Sequence, residues 1–158
     1  MRSALFKAAL VGALGFGFAA AQSRKPTAAE TAAIRNCATK NADNLDDGER
    51  QCLFNLVAQP CIDKSSHATI AEVYCYETEA SIWDGLLNDH YKNLLETLDK
   101  DQTAKAQAMQ RAWIAYRDTT CGFYDDKIQG TMSQTMHAAC ATRETARRAM
   151  LLKFFSKL

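Results

Sequence analysis

The sequence predicts an all-α fold, an antiparallel bundle of helices around one long central helix that disulfide bonds staple together. Apolar residues between 69 and 98 recur three and four positions apart, which is the period of one face of an α-helix. No segment alternates apolar and polar residues for long enough to indicate a strand. The chain also has six cysteines, and an even number is typical of a disulfide-bonded exported domain.

The first 21 residues have the composition of a secretory signal peptide. Arg2 and Lys7 precede an apolar run over 8–21 that ends in three alanines, and polar residues follow at once. The run is shorter than the roughly 20 residues of a membrane-spanning helix, so we expect cleavage and no membrane anchor in the mature form. The alternative, a retained anchor, fits these flanks less well. Residues 22–158 would then be a periplasmic or secreted chain of single-domain length.

The distribution of charge bears on the partner. Cleavage would remove two basic residues and change the formal charge from +1 to −1, so we expect no nucleic acid partner. Charge is uneven, however, because the segment 43–63 is acidic and the segment 141–158 is basic. The acidic segment is either a solvated loop or a contact surface for a cationic partner. Its candidate contact residues are Asp43, Asp46, Asp47, Glu49 and Asp63.

Short capping and turn motifs predict the secondary structure of the first half of the chain. A capping box at 27–30 begins a first helix that reaches about residue 41. Residues 43–48 are polar and rich in turn formers, which predicts a break. Residues 52–57 predict one or two helical turns before a proline, and 61–68 predict a loop.

Longer helices are predicted in the second half. A second capping box at 69–72 begins the central helix, which extends to residue 98. A third long helix is expected over 102–127, and a last one begins at Ser133 after the turn at 129–131. The inward residues expected on the third helix are Met109, Trp113, Tyr116 and Phe123.

Three disulfides are expected, although six cysteines allow many pairings that the sequence cannot decide between. Local spacing favours a bridge between Cys121 and Cys140, from one helix end to the start of the next. A bridge between Cys52 and Cys61 would close a short loop and leave Cys37 with Cys75.

No residue pattern indicates catalysis, a metal or a cofactor. Glu79 and Asp84 lie five apart on one helix, so they do not face each other as glycosidase carboxylates do. Ser133 and His137 are more simply explained by a helix start, and neither a Gly-x-Ser-x-Gly elbow nor a glycine-rich phosphate loop occurs. No Cys-x-x-Cys pair is present, and the histidines stand at no zinc-ligand spacing: His67, His90 and His137.

The most specific pattern is an ordered set of residues in two helical blocks, 75–91 and 110–121, with a third set near the end of the chain. Its members are Glu79, Trp83, Asp84, Leu87, Asn88, Tyr91, Gln110, Arg111, Trp113, Tyr116, Arg117, Asp118, Thr145 and Arg148. This ordered set resembles the LprI-type lysozyme inhibitor family of small secreted bacterial helical proteins. The resemblance covers most of residues 22–158 and implies a single helical domain there.

Two interpretations of this set remain open. In the structural one, which we favour, Trp83 and Tyr91 lie in the core and Arg117 pairs with a buried acid, either Glu79 or Asp84. In the functional one, the same aromatic residues form an exposed patch that contacts a partner.

The resemblance implies a non-catalytic binding protein that inhibits lysozyme by covering its glycan cleft, with lysozyme as the protein partner. An acidic surface would raise the rate of encounter with a cationic lysozyme, and salt would reduce that advantage. A different class remains as an alternative, namely a structural or stress-linked cell-envelope protein that binds peptidoglycan or an envelope partner.

Overall fold

A computed structural model describes residues 24–65 and 68–158, and these form six α-helices and no strand. The helices are α1 (Ala28–Lys40), α2 (Leu45–Cys52), α3 (Ala58–Asp63), α4 (Thr69–Glu96), α5 (Lys100–Lys127) and α6 (Met132–Phe155). The prediction of an all-α bundle around a long helix is confirmed. The predicted signal peptide, residues 1–21, lies outside the described residues, as does His67.

The core lies mainly between α4 and α6, which run in the same direction. Near their beginnings the hydroxyl of Thr142 donates to the carbonyl of Tyr76 at 3.1 Å. Farther along, Nδ1 of His90 lies 2.8 Å from the carbonyl oxygen of Ala149. Helices α1 and α3 pack on α4, and α2 packs on α6. The fully buried side chains include Ile34, Cys52, Val57, Trp83, Leu86 and Leu152.

Helix α5 returns antiparallel to its two long neighbours and packs mainly on α6 through a narrow stripe. Only Ala106, Gln110 and Cys121 are buried on it. The expected inward positions of Tyr116 and Phe123 are therefore wrong, because these rings are 52% and 61% exposed. A helix that packs mainly on one other helix buries a single stripe of residues. Tyr116 and Phe123 lie seven residues apart and therefore share one side of α5, which is not the side that carries the buried stripe.

The segment from 42 to 65 is more helical than predicted. Asn44 caps α2 by accepting a hydrogen bond from the backbone N–H of Asp47 at 3.1 Å, so the expected break at 43–48 is largely helix. Helix α3 forms around Pro60, because a proline in the first turn removes an N–H that has no partner inside the helix. Only residues 53–57 remain as an irregular turn between α2 and α3.

The predicted capping boxes have different outcomes. Thr27 and Glu30 form theirs at the start of α1, and the neighbouring guanidinium of Arg24 holds the pKa of Glu30 at about 2. At α4 the expected capping box of Thr69 is absent, since Ala68 is the N-cap and has no side-chain hydrogen bond. No helix in the described part of the chain combines the length and the apolar character that a membrane crossing requires.

Three disulfides each join two consecutive helices. Cys121 pairs with Cys140 between α5 and α6, as predicted. The expected pairs Cys52–Cys61 and Cys37–Cys75 are wrong, because the structure forms Cys37–Cys52 and Cys61–Cys75 instead. The reason is the helical hairpin of α1 and α2, which brings Cys52 beside Cys37 and leaves Cys61 on α3 facing α4.

Non-reducing peptide mapping should recover these three pairs and no free thiol. Replacing both Cys121 and Cys140 with serine opens a link between positions 19 residues apart and should lower the free energy of unfolding by about 3 kcal/mol, mainly through the unfolded state. A peptide that joins Cys52 to Cys61 would contradict the pairing.

Candidate functional site

The residues that carry the family resemblance fall into three groups by burial. The buried ones are Glu79, Trp83, Leu87, Gln110, Thr145 and Arg148. The half-buried ones are Tyr91, Trp113 and Arg117. The exposed ones are Asp84, Asn88, Arg111, Tyr116 and Asp118. The first two groups build the bundle, and the third is available for contact with a partner.

The carboxylate of Glu79 organises the turn between α2 and α3 from inside the protein. Its Oε1 accepts hydrogen bonds from the backbone N–H of Phe54 at 2.8 Å and from the indole N–H of Trp83 at 3.0 Å. Its Oε2 accepts from the backbone N–H of Ala58, the first residue of α3, at 2.9 Å. Since the N-cap of α3, Val57, offers no side-chain hydrogen bond, Glu79 satisfies that helix start from α4.

The same turn requires an uncommon backbone conformation. Phe54 has a φ of 65°, in the left-handed region that residues with a Cβ seldom adopt. The hydrogen bond from its N–H to Glu79 and the edge-to-face contact of its ring with Tyr76, with centroids 5.3 Å apart, hold this conformation. Burial raises the pKa of Glu79, and the three N–H donors oppose that rise.

Arg117 does not pair with Glu79 or Asp84, so that expectation is wrong. Its guanidinium binds the neighbouring Asp118, with Nη2 at 2.7 Å from Oδ1, and lies 5.0 Å from the ring centre of Trp113. The reason is that α5 lies against α6, whereas the carboxylate of Glu79 is satisfied by backbone and indole donors beside α3.

A second arginine lies over the same indole and connects α5 to α6. The guanidinium of Arg148 is 5.6 Å from the ring centre of Trp113, and its Nε donates to Oε1 of Gln110 at 2.8 Å. Arg148 is buried and has no carboxylate partner, and its Nη2 makes no hydrogen bond within the described residues. Burial accordingly lowers the pKa of Arg148.

An open groove of about 410 Å³ lies where the first half of α4, the beginning of α6 and the end of α5 meet. Its apolar lining is Val73, Ala80, Ala138 and Ala141, and its polar lining is Glu77, Asp125, Gln134, His137 and Thr142. Nδ1 of His137 lies 2.5 Å from Oδ2 of Asp125 across the groove.

Helical spacing extends this groove toward the motif residues. On α4, Asp84 and Tyr91 follow Glu77 by seven residues each time, so the three lie on one side of the helix. On α5, Asp118 precedes Asp125 by the same interval. We call the surface that this helical phase assigns to Glu77, Asp84, Asp118 and Asp125, together with His137, the α4–α5 groove. The sequence did not single out Glu77 or Asp125, although their helical phase with Asp84 and Asp118 was readable.

The acidic segment is mostly neutralised by basic residues of the same chain. Asp47 pairs with Arg50 inside α2, as the N-cap interaction of that helix positions it. Glu49 pairs with Arg147 of α6 at 2.6 Å, and Asp43 pairs with Lys157 at 2.6 Å. Asp46 is exposed on α2, and Asp63 accepts from Gln59 at 2.7 Å.

The described histidine and serine side chains are engaged in local contacts. Ser133 is buried, and its hydroxyl donates to the carbonyl of Gly130 at 3.0 Å, one helical turn before His137. Gly130 itself has a φ of 91°, which suits the turn between α5 and α6. Among the described residues, no group of three histidine, cysteine or acidic side chains is placed to hold a metal ion.

The fold is thus a small, disulfide-linked helical bundle whose motif residues lie mainly on its three long helices. A family model described as lysozyme inhibitor LprI matches residues 61–152, more than half of the chain. The chain belongs to this family. No curated protein matches the chain, and no solved structure does. The matched range includes α4, α5 and most of α6, whereas α1 and α2 precede it.

Replacing Glu79 with glutamine should lower the free energy of unfolding by about 1–3 kcal/mol, because the amide NH₂ cannot accept from one of the three N–H donors. Glu77→Gln, an exposed change two residues away, is the matched control and should have little effect. Denaturant unfolding measures both, and equal stabilities would contradict the role of Glu79.

The same pair of variants should differ in pH dependence. A raised pKa means that folded Glu79 binds its proton more tightly than the unfolded chain does. Its contribution to stability is therefore greatest below the ordinary value of 4.5 and declines as the pH rises through the raised pKa. Glu79→Gln should lack this decline, whereas Glu77→Gln should retain it.

Replacing Gln110 with alanine should cost about 1.5–3 kcal/mol, because it leaves the buried guanidinium of Arg148 without its acceptor. Adding Arg148→Met should recover part of that loss, since no buried charge then remains unpaired. Gln107→Ala, on the exposed side of α5, is the control. Strictly additive changes in the free energy of unfolding would contradict the coupling.

Proposed function

We propose that this protein is a secreted or periplasmic lysozyme inhibitor that covers the enzyme's glycan cleft and performs no catalysis. The observation that carries the proposal is membership in the lysozyme inhibitor LprI family, through residues 61–152. Three disulfides support function in an oxidising compartment, as does the signal-peptide pattern of the first 21 residues.

The contact surface that we propose is the α4–α5 groove. It lies within the matched range, and its motif residues Asp84 and Asp118 are exposed and contribute little to packing. Glu77 and Asp125 line it, and Asp84 and Asp118 lie seven residues away on the same sides of their helices. Asp118 pairs with Arg117 and Asp125 contacts His137, whereas Glu77 and Asp84 have no basic partner within the described residues.

The lining of the groove suits a lysine or arginine side chain of a cationic lysozyme. The alanines and Val73 would pack against the methylene carbons, while Glu77 and Asp125 would receive the charged group. Disulfides at Cys61–Cys75 and Cys121–Cys140 hold the helices that carry the groove, which would reduce the ordering cost of binding. Attraction between opposite charges would raise the association rate and weaken with salt.

The acidic segment remains a second proposed contact surface. Asp46 and Asp63 are its charges without a basic partner within the described residues, because Asp43, Asp47 and Glu49 are engaged with Lys157, Arg50 and Arg147. These pairs would leave only a small net charge to attract a cationic partner.

A turbidity assay tests the function directly. The mature protein should slow the clearing of cell-wall suspensions by a c-type lysozyme, and higher salt should weaken the effect. Glu77→Lys should weaken inhibition about tenfold, corresponding to about 1.4 kcal/mol of binding free energy. Glu96→Lys, the same charge change at an exposed site on the last turn of α4, is the matched control.

The variants separate the two surfaces. If Asp46→Lys weakens inhibition and Glu77→Lys does not, the contact lies on the acidic segment. Normal clearing with the intact mature protein in excess would contradict the inhibitor proposal. Retention on insoluble peptidoglycan without inhibition would instead favour an envelope-binding protein.

A further inference from the structure

We propose that a pocket at the other end of the bundle binds a phosphate group. This pocket of about 390 Å³ lies between α1, the last part of α4 and the end of α6. It is lined by Arg35, Asp89, His90, Lys92, Asn93, Lys153, Ser156 and Lys157. The rise of an α-helix places Lys92 about 22 Å along α4 from Glu77 and about 12 Å from Asp84. The two linings share no residue, so the pocket is separate from the α4–α5 groove.

Four cations line this pocket, from α1, α4, α6 and the segment just after α6, and only two of them have carboxylate partners. Arg35 binds Asp89 with Nη2 at 3.1 Å from Oδ2, and Lys157 binds Asp43, which lies outside the lining. The ammonium group of Lys153 donates to the neutral hydroxyl of Thr39 at 2.8 Å. Lys92 has no ion-pair partner within the described part of the chain.

The positive charge of Lys153 has no carboxylate partner within the described residues, although Asp89 also lines the pocket. Lys153 is half-buried, and burial lowers its pKa, as does repulsion from Lys157 and Arg35. A ligand with two negative charges between these groups would offset both effects. Burial by itself disfavours the charged form of Lys153. The structure nevertheless places this lysine near two other cations, Lys157 and Arg35.

A buried histidine provides a directional contact at the same pocket. His90 is 8% exposed, and its Nδ1 donates to the carbonyl of Ala149, since a carbonyl oxygen can only accept. In the neutral ring, Nε2 is then an acceptor, and it has no hydrogen-bond partner within the described residues. The P–OH of a monoprotonated phosphate could donate to it, while the remaining oxygens accept from Lys153, Lys92 and the amide of Asn93.

This combination of one acceptor with several cations favours phosphate over sulfate. Sulfate has the charge and shape of phosphate but carries no proton near neutral pH, so it cannot donate to neutral Nε2. The phosphate could belong to a small soluble monoester or to the monoester headgroup of phosphatidic acid, because a phosphate monoester can still carry the proton that Nε2 accepts. The volume of the pocket leaves room for a group attached to the phosphate.

The first experiment is an NMR titration of the whole mature protein with inorganic phosphate at constant ionic strength. We expect saturable shifts of the His90 Nε2 resonance and weaker binding of sulfate. Lys153→Gln should raise the dissociation constant about tenfold, and Lys92→Gln should raise it too. Lys127→Gln, an exposed lysine at the far end of α5, should leave it unchanged.

Thermal unfolding of the variants should show cooperative transitions, because Lys153→Gln removes a poorly compensated charge. The absence of a saturable shift would overturn the proposal, as would equal affinity in Lys153→Gln and the unchanged protein, or equal binding of sulfate and phosphate. Co-sedimentation with phosphatidic acid vesicles, competed by phosphate and lost in Lys153→Gln, would assign the phosphate to a lipid. Phosphate binding without vesicle binding would assign it to a soluble ester.

Discussion

The buried carboxylate of Glu79 is the contact on which the arrangement of the first three helices depends. It accepts hydrogen bonds from the N–H groups of Phe54 and Ala58, which lie 25 and 21 residues earlier in the chain, and from the indole of Trp83 on its own helix. Without an acceptor there, the left-handed residue of the turn and the uncapped start of α3 would both lose their partners. Hydrogen bonds from a turn, a helix start and the central indole thus offset the free-energy cost of burying one carboxylate.

Helix α5 is held to α6 by a disulfide and a side-chain contact, and most of its surface remains exposed. The disulfide to Cys140 fixes its last turns, and the contact of Gln110 with Arg148 fixes its middle. Trp113 is half-buried and contacts the guanidinium groups of both Arg117 and Arg148. This narrow attachment keeps an open groove beside α4, and it explains how a helix can carry both packing residues and exposed motif residues.

The three long helices also separate charge along the bundle. Carboxylates concentrate at the α4–α5 groove, near the beginnings of α4 and α6, whereas lysines concentrate at the ends of those two helices. Because α4 and α6 run in parallel, charged residues that are far apart in the sequence lie at the same end of the bundle. A chain that is nearly neutral overall therefore presents two surfaces of opposite sign, each suited to a different kind of ligand.

The sequence by itself determined the helical class, the long central helix, the pairing of Cys121 with Cys140 and the family resemblance, because helical periodicity, short-range spacing and motif order are local properties. It did not determine that α2 forms, that Arg117 lies on Trp113, or that Cys37 pairs with Cys52. Those outcomes depend on which helices become neighbours, and on backbone donors that carry no sequence signal. Only the tertiary structure decided that Glu79 is satisfied by N–H groups from three segments, and that four cations from α1, α4, α6 and the residues after α6 line the same pocket as His90.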